Sequence, residues 1–150
     1  SLNSSDIPVL HRQFFTNQKL FHITDDNSCF IHGGFDRFTD FYKQKESTYY
    51  WDRILWSEAL NAFENGLTAS EFEMVTRFKQ VFLGHTPTTN WGTDQPMKAN
   101  TITNMDTGAG WGGRLTIMDI NTHEYWQSDQ LTRLYPTKFN DYMTTKTTER

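Results

Sequence analysis

The sequence predicts an α/β fold of the α+β kind, with a mixed sheet, in a single domain over residues 1–150. Two short apolar runs, Cys29-Phe30-Ile31 and Val81-Phe82-Leu83, are typical of strands that are buried on both faces. Each run leads to a histidine beside glycine, His32 in the first case and His85 in the second. Helical patterns lie between the runs, and this order predicts a crossover connection that makes the two strands neighbours in one sheet. Because ligands bind beyond the carboxyl ends of strands in open α/β sheets, we expect both imidazole rings in one site.

Length and composition suit one domain and argue against two classes of protein. The net charge of the chain is −4, whereas a nucleic-acid-binding surface has an excess of basic residues. No apolar run approaches the roughly 18 residues that span a bilayer, and no signal-peptide pattern opens the chain. The single cysteine, Cys29, cannot form an internal disulfide, which favours a reducing compartment. We therefore expect a cytoplasmic protein that binds neither nucleic acid nor a membrane.

Before the first run, the pattern predicts a helix and a strand. Residues 8–19 have an apolar side at helical spacing, with Asp6 as the expected N-cap. Residues 20–23 alternate as a strand does, and a polar turn then leads into the run, so we expect a hairpin. Residues 35–48 are polar and irregular, which predicts a surface loop that covers a site.

Two helices are predicted between the runs. Apolar residues recur at helical spacing between residues 50 and 63, before the stop signal Asn65-Gly66. The tetrapeptide Ser70-Glu71-Phe72-Glu73 fits a capping box, which predicts a second helix that ends near Phe78. The expected apolar face of this second helix comprises Phe72, Val75 and Phe78.

The part of the chain after His85 predicts smaller elements. We expect a loop over residues 86–100, a strand over 101–105 and a tight glycine-rich bend over 106–113. A hairpin is expected over 115–127, and a frayed tail from Thr137 onward.

His32 and His85 are the candidate metal ligands. Neutral imidazole is the commonest metal-binding side chain, and rigid strand ends orient it well. The alternative is that each is a hydrogen-bonded histidine at the end of a strand. Two histidines also fall short of the three or more protein ligands of zinc-type and dinuclear centres. His11, His22 and His123 are interpreted as structural or exposed.

Two further segments have polar groups suited to anions. Arg53 lies between Trp51 and Trp56, and a guanidinium held by aromatic neighbours can bond two phosphate oxygens; the alternative is a stacked surface arginine. Asp106-Thr107-Gly108-Ala109 is either a backbone nest for an anion or the bend between two strands.

Four segments occur in the order seen in a known family: Phe30-Ile31-His32-Gly33-Gly34, Trp51-Asp52-Arg53, Phe82-Leu83-Gly84-His85-Thr86 and Asn104-Met105-Asp106-Thr107-Gly108-Ala109. On these segments the chain resembles the calcineurin-like metallophosphoesterases, and the resemblance covers nearly the whole chain, from about residue 8 to 130. It is most similar to their bacterial serine/threonine-phosphatase and symmetrical diadenosine-tetraphosphatase branch.

The resemblance implies a β-sandwich flanked by helices, with two divalent ions, often manganese, iron or zinc. In the family a metal-activated hydroxide attacks the phosphorus of a phosphate ester, either a phosphoprotein or a dinucleotide polyphosphate, and no phosphoenzyme forms. His32 and His85 would both bind the second metal, and Arg53 would bind the substrate phosphate. The implied supporting residues are Gly33, Gly34, Gly84, Asp106 and Thr107, of which the last two would support the bend beside His85.

The family's earlier motifs, Asp-x-His, Gly-Asp-x-x-Asp-Arg-Gly and Gly-Asn-His-Glu, are absent from this sequence. The chain is therefore expected to be the C-terminal part of a phosphatase and to be inactive alone. Half of a sandwich leaves sheet surface uncovered, so we expect self-association. The alternatives are a non-catalytic shortened homologue and a ligand-binding module whose stacking surface comprises Trp51, Trp56, Trp91, Trp111 and Trp126.

Overall fold

The computed structural model describes residues 6–135, and it has a mixed five-stranded sheet and a separate two-stranded sheet. The helices and strands are α1 (Val9–Thr16), β1 (Phe21–Ile23), β2 (Ser28–Ile31), α2 (Glu46–Trp51), α3 (Ile54–Glu64), β3 (Gln80–Leu83), β4 (Met97–Ala99), β5 (Ile102–Asn104), β6 (Thr116–Met118), β7 (Tyr125–Gln127) and α4 (Leu131–Leu134). The predicted tail from Thr137 onward lies outside the described residues.

The large sheet has the strand order β1-β2-β3-β5-β4. Its three central strands are parallel, and each edge strand is antiparallel to its neighbour. In the register of β2 and β3, Cys29 lies opposite Val81 and Phe30 opposite Phe82. The predicted hairpin of β1 with β2, the crossover from β2 to β3, and the hairpin of β6 with β7 are all confirmed.

One face of the large sheet is covered by α3, which packs on β4 and β5, and by buried residues of the segments 35–49 and 72–78, and the core lies between these layers. Side chains alternate along each strand, so every second residue points toward this core. Buried residues of α3 and of the strands form one apolar cluster, whose members include Leu55, Trp56, Ala59, Leu60, Cys29, Ile31, Val81, Leu83, Ala99 and Ile102.

The opposite face of the sheet is only partly covered, by the turn of the β6–β7 hairpin. There, His123 Nε2 lies 2.6 Å from Gln80 Oε1, and the His123 ring approaches the Phe82 ring at 6.3 Å between centroids. Between the hairpin, β1 and this face lies an open cleft of about 670 Å³, with Phe30 and Met118 among its lining residues. The second face is therefore covered less completely than the first: Phe82 and Thr103 are buried there, whereas Phe30 is half-buried and lines the cleft.

The helix predicted over residues 70–78 is wrong, because this segment is a series of turns and bends. Buried and exposed residues alternate from Phe72 to Val75, a period that suits an extended chain rather than a helix. The capping-box pattern of Ser70 and Glu73 starts no helix, and the turn just before it is closed by a different acidic residue, Glu71. Thr68 donates to Glu71 Oε2 from its backbone nitrogen at 2.8 Å and from its hydroxyl at 2.7 Å, which closes a turn.

The helix predicted from residue 50 to 63 is two helices with a break at Asp52 and Arg53. Asp52 ends α2 in an extended conformation, with ψ at 138°. Its carboxylate then accepts a hydrogen bond from the Leu55 backbone nitrogen at 3.0 Å, as an N-capping group of α3 does. The predicted stop signal is confirmed, since Gly66 has a φ of +81° and directly follows the C-cap Asn65.

Three other sequence predictions need correction. Pro8, not Asp6, occupies the N-cap position of α1, and no residue of this helix is buried. The segment 35–48 is not only a surface loop, since Phe35 and Phe41 are buried and pack edge-to-face at 5.1 Å. The predicted loop 86–100 contains β4, which completes one edge of the sheet.

Candidate functional site

His32 and His85 meet at the carboxyl ends of β2 and β3. The parallel ladder continues past the end of β2, because the Gly84 backbone nitrogen donates to the His32 carbonyl at 2.9 Å. His32 Nε2 lies 3.2 Å from His85 Nδ1, although the residues are 53 positions apart in the sequence. The structure thus brings together the two histidines that the strand pattern singled out.

The turn after β3 gives His85 an unusual backbone. Its φ is +65°, in the left-handed region that L-residues other than glycine rarely adopt. Two hydrogen bonds support this turn: Thr86 N donates to the Gly84 carbonyl at 2.7 Å, and Asn104 Nδ2 donates to the Thr86 carbonyl at 2.9 Å. The ring of His85 is therefore directed by a conformation that its neighbours maintain.

Gly33 and Gly34 allow the backbone of residues 50–52 to approach the loop after His32. A Cβ atom on Gly33 would lie 2.9 Å from the carbonyl carbon of Tyr50, and one on Gly34 would lie 2.5 Å from Asp52 Oδ2. Neither glycine has a positive φ, so the close approach of residues 50–52, and not an unusual backbone conformation, is what requires glycine at these positions. Gly84 is less restricted, since a Cβ there would make an ordinary 3.6 Å contact with Asp106.

This close approach places Trp51 and Arg53 beside the histidines. The Trp51 ring lies 5.2 Å from the His85 ring, in an edge-to-face arrangement. Arg53 is exposed, and among residues 6–135 no group forms an ion pair or hydrogen bond with its guanidinium. The helix break thus sets an aromatic ring and a cation next to two imidazoles.

The surroundings of His85 favour a neutral ring. Burial lowers the pKa of His85, and the nearby Arg53 guanidinium and His32 ring lower it further. Burial also raises the pKa of Asp52, against the effect of its backbone hydrogen bonds. A neutral imidazole is the form that binds a metal ion, so the electrostatics of the site are compatible with metal binding.

The distance between the two ring nitrogens fits ligands of a common ion. Two nitrogens that are each about 2.1 Å from one ion lie about 3.0–3.4 Å apart when the angle between them is octahedral or tetrahedral. The observed 3.2 Å falls in this interval, although it is also the distance of a hydrogen bond between two imidazoles. Within residues 6–135, no group of three or more histidine, cysteine, aspartate or glutamate side chains is arranged to hold a metal. The pair fits part of a metal centre, and a complete centre requires further donors.

Asp106 and Thr107 lie in the bend that follows β5. The Asp106 carbonyl accepts a hydrogen bond from Thr88 N at 2.7 Å, and its carboxylate accepts one from Gly108 N at 3.1 Å. The buried Thr107 hydroxyl lies 2.6 Å from the Arg114 carbonyl oxygen. The first of these bonds connects the bend to Thr88, two residues after the Gly-His-Thr segment. The Gly108 amide is already occupied by a carboxylate, which favours a bend over an anion nest.

Sequence reasoning missed Asn104, which links the strand to the site. This fully buried amide donates to the Thr86 carbonyl, and its oxygen accepts a hydrogen bond from Asp106 N at 3.0 Å. The available signal was an amide at the end of a strand whose other residues are apolar or β-branched. A buried polar side chain of this kind needs partners, and here they are the backbone beside His85.

The other histidines and the cysteine lie in different surroundings. His11 and His22 are exposed on α1 and β1, and His123 contacts Gln80, as described above. Burial raises the pKa of Cys29 to about 12, so its thiol stays protonated near neutral pH. Cys29 is therefore a core residue rather than a candidate ligand.

The five tryptophans do not form one exposed platform. Trp56 is buried with 1% of its surface exposed, and Trp91 packs edge-to-face against it at 6.0 Å. Trp51, Trp91, Trp111 and Trp126 are exposed, Trp91 the least at 38%, and Trp51 contacts His85.

Among residues 6–135, no helix has both the length and the apolar character that a membrane span requires. No protein-family model and no curated protein sequence matches the chain.

Proposed function

We propose that the chain is the C-terminal part of a calcineurin-like, metal-dependent phosphoesterase. In this proposal His32 and His85 hold one of two divalent ions, which are manganese, iron or zinc, and Arg53 binds the phosphate of the substrate. The observation that carries the proposal is the convergence of His32 Nε2 and His85 Nδ1 at 3.2 Å beyond two parallel strands. The order of the four sequence segments supports the same conclusion.

Each residue has a role that its geometry supports. Bound divalent ions supply Lewis-acid activation of the phosphoryl group and of water. The histidines would hold the ion at a fixed position, because their backbone is fixed by the sheet and by the turn at Gly84. The planar guanidinium of Arg53 can bond two phosphate oxygens, and it is available because no described residue pairs with it.

The remaining parts of the proposal concern the larger architecture. In this proposal the five-stranded sheet and the β6–β7 hairpin correspond to a portion of a β-sandwich, and the rest of the sandwich packs on the less completely covered sheet face, where the open cleft lies. Two protein ligands hold an ion weakly, so we expect the chain alone to hydrolyse no phosphate ester.

Isothermal titration with Zn²⁺ tests the metal site directly. We expect binding of one ion, and we expect His32→Ala and His85→Ala each to weaken it at least about 10-fold, since each removes one of two ligands. His11→Ala is the matched control, because His11 is exposed on α1. Undiminished Zn²⁺ affinity in the double variant His32→Ala/His85→Ala would contradict the proposal.

Hydrolysis of 4-nitrophenyl phosphate tests the prediction that the chain alone is inactive. In the presence of Mn²⁺, we expect the unmodified chain to hydrolyse this ester no faster than the Arg53→Gln variant does. Metal-dependent turnover that disappears in His32→Ala would show that the chain contains a complete centre, and the proposal of a partial one would then be wrong.

A further inference from the structure

An exposed aromatic pair lies at the C-terminal end of α2, beside the histidines. Trp51 exposes 64% of its surface, whereas Trp56, in the following helix, exposes only 1%. The Trp51 ring is held edge-to-face by Tyr50 at 5.7 Å and by His85 at 5.2 Å. A large indole that is exposed to this extent next to a polar site is a candidate for ligand contact.

The backbone on both sides of Trp51 is held in place by hydrogen bonds. Before it, the Tyr49 carbonyl accepts from Gly33 N at 2.7 Å. After it, Asp52 N donates to the Thr48 carbonyl at 3.0 Å, and the Asp52 carboxylate caps α3 through Leu55 N. An aromatic side chain on such a segment loses little conformational freedom when a ligand stacks on it.

A cation follows the indole at a short distance. Asp52 is extended, with φ at −63° and ψ at 138°, so the Cα atoms of Trp51 and Arg53 are separated by about 7 Å. Arg53 is exposed and unpaired among the described residues, and both side chains are close to His85. The segment therefore presents a planar apolar surface and an anion-binding group side by side.

We propose that Trp51 binds the planar leaving group of the substrate, so that phosphate esters of an aryl group or a nucleoside are favoured over esters of an alkyl group. This inference rests on the proposed function, in which Arg53 binds the phosphate of the substrate and the histidine pair holds a metal ion beside it. A ring attached to that phosphate stacks on the exposed indole, whereas the alkyl chain of phosphoserine or glycerol phosphate has no flat face to do so. Between the two substrate classes left open by the sequence, the inference selects the nucleotide-like class.

Binding of three phosphate esters to the Zn²⁺-loaded chain tests the inference by titration calorimetry. The probes are AMP, phenyl phosphate and glycerol 3-phosphate. We expect Trp51→Ala to weaken AMP and phenyl phosphate about 10-fold and to leave glycerol 3-phosphate unchanged, because a stacked base contributes about this factor. Trp51→Phe should retain most of the affinity, since it keeps a ring. Trp126→Ala is the matched control, as Trp126 is 62% exposed on β7.

The outcomes separate this inference from the proposed function. Arg53→Gln should weaken all three probes by a similar factor, and failure to do so would contradict the phosphate role of Arg53 without altering the comparison made with Trp51→Ala. A loss confined to AMP would assign the subsite to nucleobases, and an equal loss for phenyl phosphate would extend it to aryl esters. The inference is overturned if Trp51→Ala weakens none of the probes or all three equally, or if the unmodified chain binds neither AMP nor phenyl phosphate at millimolar concentration.

Discussion

His85 combines a left-handed backbone with a partly buried ring. Its φ of +65° costs about 1 kcal/mol relative to glycine, and the turn persists because Asn104 and Gly84 hold the adjoining peptide groups. Strained residues of this kind are often found at functional sites, where the strain fixes the direction of a side chain. At His85 the strained backbone directs the ring nitrogen toward His32.

The cost of this backbone conformation can be measured with two variants that both lack the imidazole. We expect His85→Gly to be more stable than His85→Ala by about 1 kcal/mol, because glycine adopts a positive φ without steric cost. Urea unfolding gives the difference. At an ordinary position the order reverses, since glycine has the more flexible unfolded state, so an alanine variant of equal or greater stability would contradict the assignment.

At the scale of elements, the break between α2 and α3 depends on two glycines in a different segment. Gly33 and Gly34 leave room for residues 50–52, and this contact brings Trp51 and Arg53 to the ends of the strands. A helix that continued through residue 52 would carry these side chains around its axis and away from the histidines. The Gly-Gly pair is therefore a packing requirement of the site.

Substitution of Gly33 tests this packing requirement. We expect Gly33→Ala to lower the free energy of unfolding by about 2 kcal/mol, because the new Cβ would lie 2.9 Å from the Tyr50 carbonyl carbon and the backbone must shift. Gly110→Ala is the matched control, since a Cβ there meets no atom within 4 Å. Chemical denaturation of both variants gives the comparison, and equal stabilities would show that the contact is not restrictive.

The strands were predictable from sequence to a greater extent than the helices. A parallel strand buried on both faces leaves a continuous apolar run, which marked β2 and β3 and hence the meeting of His32 and His85. The segment around Phe72 has no such clear pattern, because its buried residues follow an alternating period although the Ser70-Glu71-Phe72-Glu73 motif is typical of a helix start. The contact of Trp51 with His85 was not predictable, since it depends on a close approach between segments that are distant in the sequence.

At the scale of the whole molecule, apolar surface is distributed unevenly. Helix α1 buries no residue, and its side chains Leu10, Phe14 and Phe15 are each more than 60% exposed. The hairpin strands also expose Ile117 and Trp126. Surfaces of this kind favour contact with another copy of the chain or with a partner.

The apolar side of α1 gives a test of self-association. We expect the chain to associate at high concentration, and we expect the double variant Phe14→Ser/Phe15→Ser to reduce association without lowering stability, because neither ring is buried in the core. Sedimentation velocity measures the association, and thermal unfolding at low concentration measures the stability. A monomeric unmodified chain at the highest concentration, or an unchanged association in the variant, would contradict the expectation.

The pairing of β2 with β3 has a consequence for the order of events during folding. His32 and His85 are 53 positions apart, and closing so long a loop is entropically costly in an unfolded chain. The two imidazoles therefore become neighbours only after the parallel strands have paired, which is a slow, non-local step. An ion held by both rings binds the folded chain alone, so by mass action it lowers the population of unfolded molecules without acting as a nucleus for folding.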